Sequence, residues 1–280
     1  KVMLATILGT AQATLTKFPY LRKIWQKNTE EERLLGVSLT GIMDNELTNG
    51  RKHGLEKTLT ALREVAVETN KEWSAIFGIP QSTAITCVKP SGTVSQLVDS
   101  SSGIHPRHSS YYIRTVRGDN KDPLTNFMKD SGIPSEADFM KPDTQTVFSF
   151  PMKSPKKSVV RNDMTAIQQL EMWLLYQRHW CEHKPSVTVS VRDEEWMEVG
   201  AFVFKHFDEM SGVSFLPHSD HTYQQAPYQD CTEAVYNDFS SKFTHIDWNK
   251  FTDYEKEDNT NSSQTFACSG DSCEIVDIGA

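Results

Sequence analysis

The segment 88–94 (VKPSGTV) joins a predicted strand to a predicted helix that begins near Thr93. The first N–H groups of a helix have no partners within the helix, and the helix dipole is positive at that end. Gly92 lets a ligand approach the backbone closely, and Ser91 and Thr93 add hydroxyl groups. The segment therefore predicts a phosphate-binding loop made by Pro90, Ser91, Gly92 and Thr93. A simple capped helix after a strand is the alternative, because Ser and Thr are common caps.

A second pattern with chemical meaning is the pair Cys268 and Cys273, whose thiols are separated by four residues that include Gly270. A disulfide between them closes a very short loop, so little chain entropy opposes it. The preceding residues 250–264 are acidic and polar, which predicts a mobile tether. A dithiol on such a tether can enter a buried site and exchange with a disulfide there.

Two other readings of this cysteine pair stay open. The spacing suits half of a zinc site, but two more ligands are needed and the next cysteine upstream is Cys231. The pair can also be incidental to a disordered tail. Two weaker candidates are Cys181 beside His183, at a predicted helix end, and a possible metal cluster at residues 218–221 (HSDH).

The elements that must position these residues alternate between short β-like runs and helical patterns. Predicted strands cover residues 34–42, 82–88, 111–116, 145–150, 186–191 and 213–216. Asp163 is expected to cap a long helix that runs through Trp180. Strand–helix alternation of this kind predicts an α/β fold with a largely parallel sheet or barrel.

Composition excludes several classes of protein. The 280 residues are 38% hydrophobic and 24% charged, which is typical of a globular chain rather than a disordered or collagen-like one. The formal charge of −8 argues against a general binder of nucleic acid or of an anionic membrane surface. Residues 2–15 are too short and too polar to cross a bilayer.

The five cysteines are odd in number and spread along the chain, which favours a reducing cytoplasm, either the cell's own or a host's if the source is viral. The first residue is Lys, so we expect the chain to be a piece of something longer. We expect residues 1–248 to form the folded part and residues 249–280 to form the tether and redox tail.

Several segments of the sequence resemble one family, the monomeric class II, adenosylcobalamin-dependent ribonucleoside-triphosphate reductases. The terminal cysteine pair has that family's spacing. The other segments are residues 29–41 (TEEERLLGVSLTG), 89–93 (KPSGT), 103–108 (GIHPRH), 111–117 (YYIRTVR), 182–188 (EHKPSVT) and 214–217 (SFLP).

The resemblance implies a ten-stranded α/β barrel, of which this chain supplies the C-terminal half. It implies reduction of a ribonucleoside triphosphate at C2′, started by adenosylcobalamin through a thiyl radical, in an allosteric enzyme of deoxyribonucleotide biosynthesis for DNA replication. It assigns Ser91, Gly92 and Thr93 to the substrate phosphates. Cys268 and Cys273 are implied to reduce the active-site disulfide again, with thioredoxin or a similar dithiol restoring the pair.

The sequence departs from the family at one essential motif. The radical-bearing finger loop, asparagine-proline-cysteine-glycine-glutamate, does not occur in these 280 residues. We therefore expect the chain to need an N-terminal partner half, whether it is a fragment or one part of a split enzyme. The alternatives are a non-catalytic nucleotide-binding module and a stand-alone thiol–disulfide carrier. The sequence assigns no residue to the cobalamin and predicts no metal site.

Overall fold

The computed structural model describes residues 1–218, 223–243 and 246–255. The chain divides into two compact units. Unit 1 is formed by residues 1–107 and 157–219, and unit 2 by residues 108–156 and those from 220 onward. Within the described ranges, none of the helices has both the length and the apolar character needed to span a membrane.

Helices of both units are amphipathic or short, and their bounds follow the chain in order. In the described residues they are α1 (Val2–Gln12), α2 (Lys23–Glu32), α3 (Leu55–Phe77), α4 (Val94–Leu97), α5 (Pro123–Asp130), α6 (Ala166–His179), α7 (Trp196–Lys205) and α8 (Glu233–Ser241).

Strands of unit 1 form two parallel pairs. The first pair is β1 (Val37–Ser38) with β2 (Thr86–Cys87), in which Val37 lies opposite Thr86. The second is β6 (Ser186–Val191) with β7 (Gly212–Pro217), in which Thr188 lies opposite Ser214.

Unit 2 contains an antiparallel sheet with the order β4 (Ser135–Ala137), β5 (Gln145–Lys153), β3 (Tyr111–Asp119) and β8 (Tyr228–Asp230). The strand–helix alternation of the sequence predicts largely parallel pairing, and here the prediction is wrong. The seven-residue connection from β4 to β5 is too short for a parallel crossover, so the chain turns back beside itself. The mixture of helices and strands agrees with the predicted α/β class, whereas closure into a barrel stays a prediction.

The core of unit 1 is organised around α6, which packs on α3 and β6. Trp173 and Trp180 are fully buried, and each satisfies its indole N–H with a backbone carbonyl. Trp173 Nε1 donates to the Pro185 carbonyl at 3.1 Å, and Trp180 Nε1 donates to the Cys87 carbonyl at 2.7 Å. The two indoles thus fix the chain just before β6 and at the end of β2, the strand that leads into the predicted phosphate loop.

The core of unit 2 is smaller and forms around Phe127, which is buried on α5. A 3-10 helix over Trp248–Asp253 packs on it, with the Phe251 ring centroid 5.6 Å and the Tyr254 ring centroid 5.5 Å from that of Phe127. The tail expected from residue 249 onward therefore begins within a packed helix, and the rest of that tail lies outside the described residues.

Two element boundaries differ from the sequence prediction for local reasons. Helix α6 is capped by Thr165 instead of Asp163: Thr165 Oγ1 accepts from the Gln168 N–H at 3.2 Å, and Gln168 Oε1 accepts from the Thr165 N–H at 3.0 Å. This reciprocal capping box satisfies two N–H groups at once. The predicted strand over residues 34–42 shrinks to Val37–Ser38, because Gly41 adopts a positive φ of 71° that ends extended structure.

Candidate functional site

The predicted phosphate loop lies between β2 and α4 in unit 1. Val88 is fully buried, whereas Lys89, Pro90, Gly92 and Thr93 are exposed. A Cβ atom placed on Gly92 would meet no atom within 4 Å, so one side of the loop faces open space. The sequence therefore places this loop correctly between a buried strand end and a short helix.

Ser91 is held from two directions. Its backbone N–H donates to Ser102 Oγ at 2.7 Å, and its own Oγ accepts from the Ser95 N–H at 2.9 Å. The Ser95 side chain is buried and its hydroxyl donates back to the Ser91 carbonyl. The Ser91 N–H is thus already used within the protein, while its hydroxyl proton is left to donate outward.

The remaining donors of the loop are the N–H groups of Gly92 and Thr93. Among the described residues, neither N–H has a hydrogen-bond partner, and the Thr93 hydroxyl does not cap α4. Helix α4 has only four residues, so its dipole adds little to anion binding. The loop can offer an anion two backbone donors, two hydroxyls and the nearby charge of the exposed Lys89.

A buried ion-pair network holds the segment that follows α4. Arg107 is 5% exposed and binds Asp44 with two hydrogen bonds, from Nε to Oδ1 at 3.0 Å and from Nη2 to Oδ2 at 2.9 Å. Arg107 Nη1 also donates to Asp99 Oδ1 at 2.9 Å. Asp99 has a positive φ of 46°, a conformation that this contact helps to hold. Sequence reasoning missed this network, although Arg107 belongs to the motif at residues 103–108.

The cysteines of the chain fall into two groups. Cys268 and Cys273, the predicted redox pair, lie outside the described residues. Cys87, Cys181 and Cys231 are free thiols. Burial, together with the nearby Cys87, raises the pKa of Cys181 to about 12, and burial also raises the pKa of Cys87. Burial and Asp230 raise the pKa of Cys231. These three thiols are therefore weak nucleophiles at neutral pH.

The weaker candidates do not assemble into a reactive site. His183 Nε2 lies 2.7 Å from the Leu35 carbonyl, and the raised pKa of Cys181 disfavours a thiolate–imidazole pair. Of the predicted metal cluster only His218 is described. Across residues 1–218, 223–243 and 246–255, no three His, Cys, Asp or Glu side chains converge as a metal site would require.

Comparison with known proteins gives a consistent result. No protein family model matches the chain. It is 29% identical over 267 residues to a probable adenosylcobalamin-dependent ribonucleoside-triphosphate reductase of Dictyostelium discoideum, covering 93% of this chain and 34% of that protein. It is 27% identical over 219 residues to the corresponding reductase of Euglena gracilis, covering 76% of this chain and 30% of the relative.

A bacterial relative and a solved structure extend the comparison. The Lactobacillus delbrueckii subsp. bulgaricus reductase is 26% identical over 258 residues, covering 82% of this chain and 35% of the relative. A crystal structure of a B12-dependent, class II ribonucleotide reductase superposes with a TM-score of 0.78 at 23% identity, over 91% of this chain and 40% of that one. The chain is thus related to the adenosylcobalamin-dependent ribonucleoside-triphosphate reductases, spans about a third of the length of the relatives it matches, and shares the fold of the class II enzyme.

Proposed function

We propose that this chain is part of a ribonucleotide reductase that converts ribonucleoside triphosphates to deoxyribonucleoside triphosphates. The observation that carries the proposal is the sequence relationship to a reductase of this name over 93% of the chain. The relatives are longer, so the complete activity needs residues beyond these 280. The free thiols of Cys87, Cys181 and Cys231 favour a reducing compartment, and we place the protein in the cytoplasm.

The first task of the chain is to bind the substrate's phosphates with Pro90, Ser91, Gly92 and Thr93. Two backbone N–H groups and two hydroxyls are available for hydrogen bonds, and Lys89 supplies a positive charge. Hydrogen bonds to a charged acceptor are stronger than those between neutral groups. Gly92 carries no side chain that would keep a phosphate away from the backbone. The loop therefore anchors the charged end of the substrate and leaves the sugar for the reaction.

The second task is to deliver electrons through Cys268 and Cys273. The thiolate of one cysteine attacks the active-site disulfide, and the second thiol displaces the resulting mixed disulfide. The active site regains two thiols, and Cys268 and Cys273 become joined by a disulfide. Thioredoxin or a similar dithiol then reduces that disulfide and is itself oxidised, so two electrons move at each exchange. The polar composition of residues 250–264 supports a carrier role for the segment that bears the pair.

A partner polypeptide supplies the remaining parts. We propose an N-terminal portion of the reductase that bears the radical cysteine and the first redox cysteines. Adenosylcobalamin, when bound to the assembled enzyme, supplies the radical that starts the reaction. No residue of this chain is assigned to the cobalamin. The short parallel pairs β1–β2 and β6–β7 fit this view, because parallel sheets are normally larger and covered on both faces.

The test is to purify the chain together with the segment that carries the finger loop, and to supply adenosylcobalamin, dithiothreitol and a ribonucleoside triphosphate. We expect deoxyribonucleotide from the assembly and none from either part alone. Lack of product from an assembled, cobalamin-binding complex would favour the non-catalytic nucleotide-binding module. Product from this chain alone would contradict the need for a partner.

The stand-alone thiol–disulfide carrier makes a different prediction in the same experiment. A carrier of that kind would be reduced by thioredoxin at the terminal pair and would bind no ribonucleoside triphosphate. Equilibrium dialysis of the chain and of the assembly against a radiolabelled ribonucleoside triphosphate separates the two functions. Triphosphate binding that Gly92→Val abolishes would exclude the carrier alternative.

A further inference from the structure

The edge of β6 is completed by side chains at Thr188. The Thr188 N–H donates to Nε2 of His105 at 3.0 Å, and the Thr188 carbonyl accepts from Nε2 of Gln169 at 3.3 Å. The same Gln169 nitrogen donates to the Ile104 carbonyl at 3.0 Å. Two side chains thus bind the segment around Ile104 and His105 to the strand, in the way that a neighbouring strand would.

The partners of His105 determine the tautomer of its ring. A backbone N–H can only donate, so Nε2 must carry a lone pair to accept from Thr188. Nδ1 lies 2.9 Å from the Ser102 carbonyl, which can only accept, so Nδ1 carries the proton. The ring is therefore neutral, in keeping with burial, which lowers the pKa of His105.

Ser102 connects this anchor to the predicted phosphate loop. Its carbonyl accepts from both the ring and the backbone N–H of His105, the latter at 3.0 Å. Its hydroxyl oxygen accepts from the Ser91 N–H at 2.7 Å. A continuous path of hydrogen bonds thus runs from the frame of β6 through His105 and Ser102 to the backbone of Ser91. Ser102 also uses up the one N–H of the loop that would otherwise compete for a ligand.

We infer that His105, supported by Gln169, is a positioning residue that fixes the phosphate loop against β6 through Ser102, so that the Gly92 and Thr93 donors stay aimed at the substrate's phosphates. The inference rests on the proposed role of this loop. His105 does not touch the phosphates, and it acts through Ser102 and Ser91. Its contribution is to keep the loop ordered before the ligand arrives.

Variants of His105 separate its two hydrogen bonds. In His105→Gln, the side-chain oxygen can reach the place of Nε2 and accept from Thr188. In His105→Asn, the shorter amide keeps only the contact with Ser102, whose carbonyl the His105 backbone already satisfies. We therefore expect His105→Gln to bind a ribonucleoside triphosphate within about threefold of the original affinity. We expect His105→Asn and His105→Ala to bind about tenfold more weakly, as for loss of one buried hydrogen bond.

The measurements are calorimetric binding and steady-state kinetics in the assembled enzyme, with thermal unfolding of each variant alongside. We expect KM to rise and kcat to stay unchanged, a split that general destabilisation does not produce. His179→Ala is the matched control, because His179 Nδ1 bonds Thr60 Oγ1 at 3.2 Å on the α3–α6 contact. It should leave the triphosphate affinity unchanged.

The outcomes that overturn the inference are distinct from those that overturn the proposed function. If Gly92→Val abolishes binding and His105→Ala leaves it unchanged, His105 does not position the loop. Equal weakening in the Gln, Asn and Ala variants that follows their loss of thermal stability likewise refutes positioning through Thr188. If Gly92→Val leaves triphosphate binding unchanged, the loop itself is not the phosphate site.

Discussion

Arg107 and Asp44 are 63 residues apart in the chain and meet in a two-point ion pair, with N–O distances of 3.0 and 2.9 Å. Asp44 also accepts from the Ser101 N–H at 2.7 Å and from the Ser158 hydroxyl at 3.0 Å. One carboxylate therefore joins three separate segments of unit 1. The segment that Arg107 ends is the one that carries Ser102 and His105.

Removing the carboxylate should destabilise the protein strongly. Asp44→Ala leaves the buried Arg107 guanidinium with only Asp99 as a charged partner, and we expect a loss of about 3 kcal/mol in the free energy of unfolding. Urea unfolding followed by circular dichroism measures it. The control is Arg51→Ala, which breaks an exposed pair with Asp163 and should cost less than about 1 kcal/mol. Equal losses would show that the Asp44 pair is no stronger than a surface one.

Gly92→Val tests the phosphate loop with little risk to folding. A Cβ at this position meets no atom within 4 Å, so the substitution should leave the unfolding temperature unchanged. The branched side chain occupies the open side of the loop, and we expect binding of a ribonucleoside triphosphate to be lost. Calorimetric titration of the assembled enzyme measures the affinity. Unchanged affinity would remove these residues from the substrate site.

Cys268→Ser tests the proposed electron shuttle. With thioredoxin as reductant we expect turnover to stop after one cycle, because no dithiol remains to re-reduce the active site. With dithiothreitol, which can reach the active-site disulfide directly, multiple turnover should continue. The amount of deoxyribonucleotide formed per enzyme under each reductant is the measurement. Equal loss with both reductants would contradict the shuttle.

Thiol alkylation tests the division of the cysteines into two groups. At pH 8 the pKa of about 12 for Cys181 leaves almost no thiolate, and burial shields Cys87 in the same way. We expect iodoacetamide to modify Cys268 and Cys273 first and to spare Cys87 and Cys181 until denaturant is added, as mapped by mass spectrometry. Rapid modification of Cys181 in the folded chain would contradict its buried, protonated state.

Sequence patterns predict those elements whose pattern is local. Strand β6 has the predicted bounds of 186–191, since its β-branched residues alternate with polar ones and Pro185 precedes it. The sequence points to Asp163 as the cap of α6, which is wrong, because two candidate caps lie within three residues and only the reciprocal bonding of Thr165 and Gln168 decides between them.

The site is predictable to a similar extent. The Gly92 motif identifies the loop, and its glycine and hydroxyls lie next to one another in sequence. The Ser102 hydroxyl that holds Ser91, and the contact of His105 with Thr188, depend on long-range packing. Such contacts leave no periodic trace in a single sequence. A histidine and a serine in a loop are compatible with many surroundings, so only the folded backbone reveals their partners.

The edge of β6 also bears on how the chain avoids aggregation. A bare strand edge recruits foreign strands, and proteins usually block it with charge, proline or a bulge. Here an imidazole and a carboxamide occupy both hydrogen-bonding groups of Thr188, so an incoming strand would first have to displace His105 and Gln169. The residues that order the loop thereby also act as gatekeepers against misassembly.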